Sequence, residues 1–204
     1  MISHGFAGLP PVANGQRIGL FGGSFNPPHE GHRAASLIAL RRLRLDWVWW
    51  LVSPGNPLKD TSGLPSVAER IERARHLAAH PRIVVTGFEQ TLGSPFTCDT
   101  VAALCERHGA VRFVLLMGAD SFADLHRWKR WRTIVATIPI GVIDRPGSTL
   151  HAAQSRAAAA LSGRRLPENE AAWLPTAEPP AYVILHDKRS PLSSTALRHA
   201  LASA

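Results

Sequence analysis

Residues 17–32 read R-I-G-L-F-G-G-S-F-N-P-P-H-E-G-H, and they give the first clue to the architecture. The opening residues form a short apolar run, which is typical of a buried parallel strand. A pair of glycines ends the run, and good helix formers follow from His32 onward. We therefore expect a strand, a glycine-rich turn and a helix, with the turn at the carboxyl end of the strand. In open α/β sheets that is the edge where ligands bind.

Five more apolar runs repeat this pattern along the chain. They are short and lack strict alternation, as strands that are covered on both faces do. The predicted strands cover residues 17–21, 46–52, 83–88, 111–117, 139–143 and 182–185.

Predicted helices lie between the strands. They cover residues 32–45, 99–107, 151–161 and 195–201, and one more begins at a capping box formed by Ser66 and Glu69. The apolar stripe after that box consists of Val67, Ile71, Ala74 and Ala78. The alternation predicts an α/β fold: a Rossmann-like, doubly wound parallel sheet with helices on both faces.

The length of 204 residues suits one domain. We expect residues 1–16 to form a flexible N-terminal arm and residues 17–204 to form a single domain, with a proline-rich loop at residues 167–180. No apolar run is long enough to cross a membrane, and no signal peptide is recognisable. Cys98 and Cys105 lie too far apart on one helix for a disulfide, which favours reduced thiols and a cytoplasmic location.

The chain is basic, with a formal net charge of +8 at pH 7. A basic surface suits nucleic acid, a small polyanion such as a nucleotide, or a solvated surface with no ligand at all. Charge alone does not separate these three interpretations.

The two histidines at the strand exit resemble a zinc motif at first sight. Zincins need H-E-x-x-H, with histidines four apart on one helix face, whereas His29 and His32 are three apart. Pro27 and Pro28 also hold His29 ahead of the helix. The G-x-G-x-x-G dinucleotide fingerprint and the G-x-x-x-x-G-K-[ST] phosphate loop are both absent.

A phosphate site of another kind fits these residues. Gly22 and Gly23 let the backbone approach a ligand closely. The start of the helix at Gly31 presents free N–H groups to an anion. His29 and His32 flank that glycine and can donate hydrogen bonds to the same phosphate. Surface or capping histidines are the simpler alternative, but the glycines and the strand exit favour the phosphate site.

Two distant motifs resemble those of a known family. Residues 22–32 resemble G-G-[ST]-F-[DN]-P-x-H-x-G-H of the nucleotidyltransferases, whose H-x-G-H binds the nucleotide triphosphate. Near the C-terminus, S-S-T-A-L-R at residues 193–198 resembles the I-S-S-T-x-x-R pattern of the same family. Beyond residue 16 the resemblance covers nearly the whole chain.

Three central segments are similar to one branch of that family, the bacterial nicotinate-nucleotide adenylyltransferases. S-P-F-T-C-D-T at residues 94–100 resembles S-Y-T-x-D-T, G-A-D-S-F at residues 118–122 resembles G-x-D-S, and D-R-P-G at residues 144–147 resembles an R-P-G turn. The departures from the pattern are Ser24, Asn26, Phe96 and Leu192, and N-P-L-K-D around Lys59 is only loosely like P-P-H-[KR].

The resemblance implies transfer of the adenylyl group of ATP to nicotinate mononucleotide, with Mg²⁺ bound mainly through ATP phosphates. It implies no nucleic-acid or membrane partner and no dedicated metal site. The implied catalytic residues are His29, His32 and Arg198. The implied ATP-binding residues are Gly22, Gly23, Ser24, Phe25, His29, His32, Asp120, Ser194, Thr195 and Arg198. The implied mononucleotide-binding residues are Thr97, Trp128, Lys129, Lys59 and Arg145.

Several interpretations of these residues stay open. Without the resemblance, Trp128 would be read as a core or surface aromatic, and Ser194 with Thr195 as a helix cap. Arg145 is either a cation for the substrate or an ion-paired structural arginine. Nicotinamide mononucleotide or phosphopantetheine is an alternative substrate. A third alternative is an RNA-binding module, because H-R-W-K-R-W-R at residues 126–132 alternates basic residues with aromatic residues. A simpler explanation for that segment is a helix with two buried tryptophans and a basic outer face.

Overall fold

The computed structural model describes residues 9–55, 63–144 and 154–186. Within these ranges six parallel strands form one sheet in the order β3-β2-β1-β4-β5-β6. The strands are β1 (Arg17–Gly23), β2 (Trp47–Val52), β3 (Ile83–Thr86), β4 (Arg112–Gly118), β5 (Ile140–Asp144) and β6 (Tyr182–His186). The prediction of six strands in a doubly wound parallel sheet is confirmed.

Helices connect the strands and cover both faces of the sheet. In the described ranges they are α1 (Glu30–Arg42), α2 (Val67–Ala78), α3 (Phe88–Leu92), α4 (Thr97–Arg107), α5 (Ala119–Ala123), α6 (Trp131–Thr137) and α7 (Arg156–Ala160). Leu125–Arg127 and Glu168–Thr176 are 3₁₀-helices. One buried cluster joins the sheet to α4, α6 and α7, and another joins it to α1, α2 and the second 3₁₀-helix.

The cap of α2 forms as its sequence predicts. Ser66 Oγ accepts a hydrogen bond from the Glu69 N–H at 3.2 Å, and the Ser66 N–H donates to Glu69 Oε2 at 2.9 Å. Each residue thus satisfies a backbone donor that the first turn of a helix leaves without a partner. The box fixes where α2 begins.

Three predictions of local structure are wrong in detail. The strand predicted at residues 83–88 ends at Thr86, because Gly87 caps α3 and Phe88 already belongs to that helix. Residues 167–180 are not simply a loop, since Glu168–Thr176 is a 3₁₀-helix whose Ala171 and Leu174 are buried. Residues 126–132 are not one helix either, because Arg130 takes a positive φ of 52° between the first 3₁₀-helix and α6.

The described part of the N-terminal segment contacts the body of the protein. The Gly15 N–H donates to the Ala110 carbonyl at 2.8 Å, and Leu9 and Val12 pack against the larger buried cluster. The division of the chain at residue 16 stays a prediction.

No helix among the described residues is long and apolar enough to span a membrane. The predicted helix at residues 195–201 lies outside the described residues.

Candidate active site

The candidate site lies where the strand order reverses. The chain builds β1, β2 and β3 outward in one direction and then returns to place β4 on the other side of β1. Phe21 in β1 pairs with Leu116 in β4, so the two strands end side by side. The connections that leave them diverge there, which opens a crevice at the carboxyl edge of the sheet.

Gly22 and Gly23 are the last residues of β1 and leave room at this edge. A Cβ atom added to Gly22 would find no heavy atom within 4 Å. One added to Gly23 would stand 3.3 Å from the Phe25 ring. A ligand can therefore approach the backbone at Gly22, whereas the side of Gly23 is filled by an aromatic ring.

His29 and His32 meet at the start of α1. Their ring centroids are 3.8 Å apart, with 31° between the ring planes. The His29 N–H donates to His32 Nδ1 at 3.2 Å, and the His32 N–H donates to the His29 carbonyl at 2.8 Å. His29 is buried at the N-cap position, while His32 is half-buried. The structure thus brings together the two histidines that the sequence predicted as a phosphate site.

The aromatic side chains of Phe25 and Trp50 support the His32 ring. The Phe25 ring lies 4.8 Å from His32 on one side and stacks on Trp50 at 4.8 Å on the other. Trp50 Nε1 donates to Ser36 Oγ at 2.7 Å, and that hydroxyl donates to the His32 carbonyl at 2.9 Å. The side chain of Phe25 is therefore core, and only its backbone is placed to meet a ligand.

A buried arginine lies beneath the same turn. Arg70 of α2 is 1% exposed, and its guanidinium donates to backbone carbonyls at the ends of β1 and β2. Burial lowers the pKa of Arg70, although an arginine side chain remains charged in proteins. The sequence does carry a signal for this residue: Arg70 falls on the stripe between Val67 and Ala74, where an apolar residue is expected.

Asp120 lies at the exit of β4, the strand next to β1 in the sheet. It is an exposed residue in the first turn of α5, immediately after β4. Its Oδ1 atom stands 2.6 Å from the place where a Cβ on Gly118 would be, so the glycine makes room for the carboxylate. The carboxylate therefore sits at the exit of β4, beside the exit of β1.

A second group of predicted residues gathers around the start of α4. Lys129 Nζ stands 3.9 Å from the centroid of the Phe96 ring, a cation–π contact beside Thr97. The Trp128 side chain is half-buried against the larger cluster, and the Trp128 backbone N–H donates to the Leu125 carbonyl at 3.0 Å. The structure thus brings Thr97 and Lys129 to one place. Much of the Trp128 ring belongs to the core.

Asp99 stabilises the turn before α4 by accepting a hydrogen bond. Ser94 Oγ donates to Asp99 Oδ2 at 2.6 Å, and this bond is the main reason that the pKa of Asp99 lies below its usual value. Burial raises the pKa of the neighbouring Cys98 thiol, and Asp99 adds to that shift. Cys98 and Cys105 are both free thiols.

The carboxyl ends of β5 and β6 carry a charged network that the sequence analysis missed. His186 Nδ1 lies 2.6 Å from Glu168 Oε2, and Arg42 Nη2 lies 2.9 Å from Glu168 Oε1. Asp144 Oδ2, at the end of β5, is 4.0 Å from His186 Nε2. Burial by itself raises the pKa of Glu168, but hydrogen bonds from His186 and the charge of Arg42 leave it below the usual value.

Five predicted site residues fall outside the described ranges: Lys59, Arg145, Ser194, Thr195 and Arg198. Their roles stay predictions. Among the described residues, no group of three or more His, Cys, Asp or Glu side chains is arranged to hold a metal ion.

The comparisons with known proteins agree on one family. The family model described as cytidylyltransferase-like matches residues 20–200. A protein of Methylorubrum extorquens, named "Probable nicotinate-nucleotide adenylyltransferase", is 56% identical over 182 residues, which cover 89% of this chain and 98% of that protein. A protein of the same name from Rhizobium meliloti is 52% identical over 183 residues, covering 90% and 97%.

A solved structure gives the same answer for the fold. It is titled "Plasmodium falciparum nicotinic acid mononucleotide adenylyltransferase complexed with NaAD", and it superposes with a TM-score of 0.66 at 16% identity over 90% of this chain and 83% of that one. The family match itself includes both residues 22–32 and residues 193–198, the segments with the two motifs. The chain therefore belongs to the cytidylyltransferase-like family, among its nicotinate-nucleotide adenylyltransferases.

Proposed function

We propose that the protein transfers the adenylyl group of ATP to nicotinate mononucleotide, giving deamido-NAD and pyrophosphate, a step of NAD biosynthesis. The observation that carries this proposal is the pair of adjoining histidine rings at the β1 exit, beside the strand reversal, in a chain 56% identical to a relative of that name. Neutral or cationic imidazoles at that edge suit a polyphosphate.

The reaction needs no general base. A 5′-phosphate oxygen of the mononucleotide attacks the α-phosphorus of ATP, and the bond from that phosphorus to the oxygen bridging to the β-phosphate breaks. The attacking oxygen is already anionic, and pyrophosphate takes the electron pair of the broken bond. Catalysis then rests on alignment of the two phosphates and on stabilising the negative charge that moves to the leaving group.

The local geometry determines which ring nitrogen of His32 can donate a hydrogen bond to a ligand. Because its Nδ1 accepts a hydrogen bond from the His29 N–H, the neutral ring carries its proton on Nε2. That N–H is a hydrogen-bond donor of fixed direction, since the ring is held against Phe25. We assign to His32 and His29 the phosphates of ATP, and to the backbone of Gly22, Gly23, Ser24 and Phe25 the wall of the nucleotide cleft.

The remaining assignments follow the family resemblance. Ser194, Thr195 and Arg198 would bind the β- and γ-phosphates, and the planar fork of Arg198 suits phosphate oxygens. Asp120 would accept a hydrogen bond from a ribose hydroxyl of ATP. Mg²⁺ would be held mainly by ATP itself and would offset the negative charge of its phosphates. A cytoplasmic location belongs to the same proposal.

The mononucleotide is assigned to the region of Thr97, Trp128 and Lys129. The Lys129 ammonium over the Phe96 ring provides positive charge beside α4, which suits the carboxylate of the nicotinate ring better than a neutral amide. Trp128 would contact the pyridine ring with the part of its surface that stays exposed. Lys59 and Arg145 are kept as candidates for the mononucleotide phosphate.

The test is a pyrophosphate-release assay with ATP and one of three acceptors: nicotinate mononucleotide, nicotinamide mononucleotide or phosphopantetheine. We expect the highest kcat/KM with the acid nucleotide, and identification of deamido-NAD as the product. A preference for the amide would overturn the substrate assignment while leaving adenylyl transfer intact. No turnover with any acceptor, together with tight and salt-sensitive RNA binding, would favour the RNA-binding alternative.

A further inference from the structure

Arg70 is a buried charged side chain next to the candidate site. It is 1% exposed, and it lies in the first part of α2, four residues after the Ser66 cap. No described residue provides a carboxylate in an ion pair with it. A buried cation is costly unless hydrogen bonds satisfy its donors, so its partners decide what it does.

Among the described residues, its hydrogen-bond partners are four backbone carbonyls, three of them in the turns after β1 and β2 and one just before α2. Nη1 donates to the carbonyls of Ser24 and Ser53, both at 2.8 Å. Nη2 donates to the Pro54 carbonyl at 3.2 Å, and Nε donates to the Pro65 carbonyl at 2.9 Å. One planar group thus joins the turn after β1, the turn after β2 and the start of α2.

The bond to Ser24 fixes the direction of the next peptide N–H. A trans peptide is planar, so its N–H points opposite to its C=O. Because the Ser24 carbonyl points to Arg70, the Phe25 N–H points away from Arg70. No backbone carbonyl of the described residues accepts a hydrogen bond from that N–H. The arginine therefore sets the direction of a backbone donor in the turn assigned to ATP.

The same turn is in an uncommon backbone conformation. Phe25 has a φ of 47°, which is rare for an aromatic residue and costs about 1 kcal/mol or more. Such a conformation persists only where surrounding contacts hold it. Two contacts do so here: the Arg70 bond to the Ser24 carbonyl, and the stack of the Phe25 ring on Trp50. A further bond, from the Ser53 N–H to the Gly23 carbonyl at 2.9 Å, joins the two turns directly.

We infer that Arg70 is a positioning residue for the transfer reaction: it orients the peptide between Ser24 and Phe25 toward the nucleotide and locks the turns after β1 and β2 together. A lysine cannot replace it, because an ammonium group lacks the planar fork that reaches four carbonyls in fixed directions. The kinetic part of this inference rests on the proposed function, whereas the structural part does not.

The test compares Arg70→Lys and Arg70→Met with a matched control, Arg82→Met. Arg82 also donates to a backbone carbonyl, that of Leu45 at 3.3 Å, but it lies at the amino edge of the sheet. Amide hydrogen exchange is measured over residues 22–28 and 50–55, and steady-state kinetics with ATP and nicotinate mononucleotide are normalised to the folded fraction. A merely structural loss lowers the folded fraction and leaves KM unchanged.

We expect exchange in both turns to accelerate by about tenfold or more in the Arg70 variants, and the KM for ATP to rise by a similar factor. Arg82→Met should change neither quantity. If Arg70→Met does not fold, Arg70→Lys decides the question alone. Wild-type exchange rates, or a KM for ATP within about twofold of wild type in folded Arg70→Lys, would overturn the inference. Absence of turnover in the wild type would instead count against the proposed function, and exchange would still decide the role of Arg70.

Discussion

At the scale of single residues, some side chains of the site hold the backbone in position, and others are proposed to bind the ligand. Phe25 supports His32 and holds an uncommon φ, and the partners of Arg70 among the described residues are backbone carbonyls. The sequence predicted the residues with recognisable chemistry, such as His29 and His32. It missed Arg70, because an arginine in a helix that also carries Arg73 and Arg75 is usually exposed, although its place on the apolar stripe was a signal.

A buried carboxyl gives a residue-scale prediction about pH. Glu89 is buried at the start of α3 and accepts a hydrogen bond from the Thr100 hydroxyl at 3.2 Å. Burial raises the pKa of Glu89 to about 7, and the Thr100 bond only partly opposes this. Between the ordinary carboxyl pKa and about 7, the folded state keeps a proton that the unfolded state releases. The contribution of Glu89 to stability therefore falls as pH rises through that window and is constant above it.

Glu89→Gln should remove this dependence while keeping an acceptor for Thr100. The unfolding free energy of the variant minus that of wild type should be larger at pH 8 than at pH 5, by at most about 3 kcal/mol. The measurement is urea unfolding at both pH values, with the exposed Glu106→Gln as control. The same stability difference from wild type at pH 5 and pH 8 would show that Glu89 does not titrate in this window.

At the scale of elements, strands were easier to predict than short helices. All six predicted strands exist, because compact apolar runs have few other places to be buried. The five-residue helices α3 and α5 are too short to show a helical period, and the prolines of residues 167–180 concealed a 3₁₀-helix. Capping chemistry was more informative than periodicity, since Ser66 predicted the start of α2 to the residue.

The cap of α2 gives an element-scale prediction. Ser66→Ala removes the acceptor for the Glu69 N–H, so the first turn of α2 loses part of its support. We expect a loss of about 1 kcal/mol in the free energy of unfolding. Thermal unfolding against Ser162→Ala, an exposed serine in the turn after α7, measures the effect. Equal melting temperatures for the two variants would show that the box contributes nothing.

At the scale of the whole molecule, the strand order assembles the site. Placing β4 beside β1 brings the exits at Gly22 and Gly118 together, although they are far apart in the sequence. Alternation of strands and helices predicted the sheet type, but the order of strands depends on long-range packing that local patterns do not encode. The predicted contribution of residues 193–198 to the same site remains a prediction.

We propose that His32 stabilises the phosphates of ATP during adenylyl transfer. The most direct measurement is kcat for pyrophosphate release with saturating ATP and nicotinate mononucleotide, comparing wild type, His32→Ala and the exposed control His76→Ala. We predict that kcat falls by about 100-fold or more in folded His32→Ala and stays near wild type in His76→Ala. A folded His32→Ala protein with kcat within about threefold of wild type would contradict the claim.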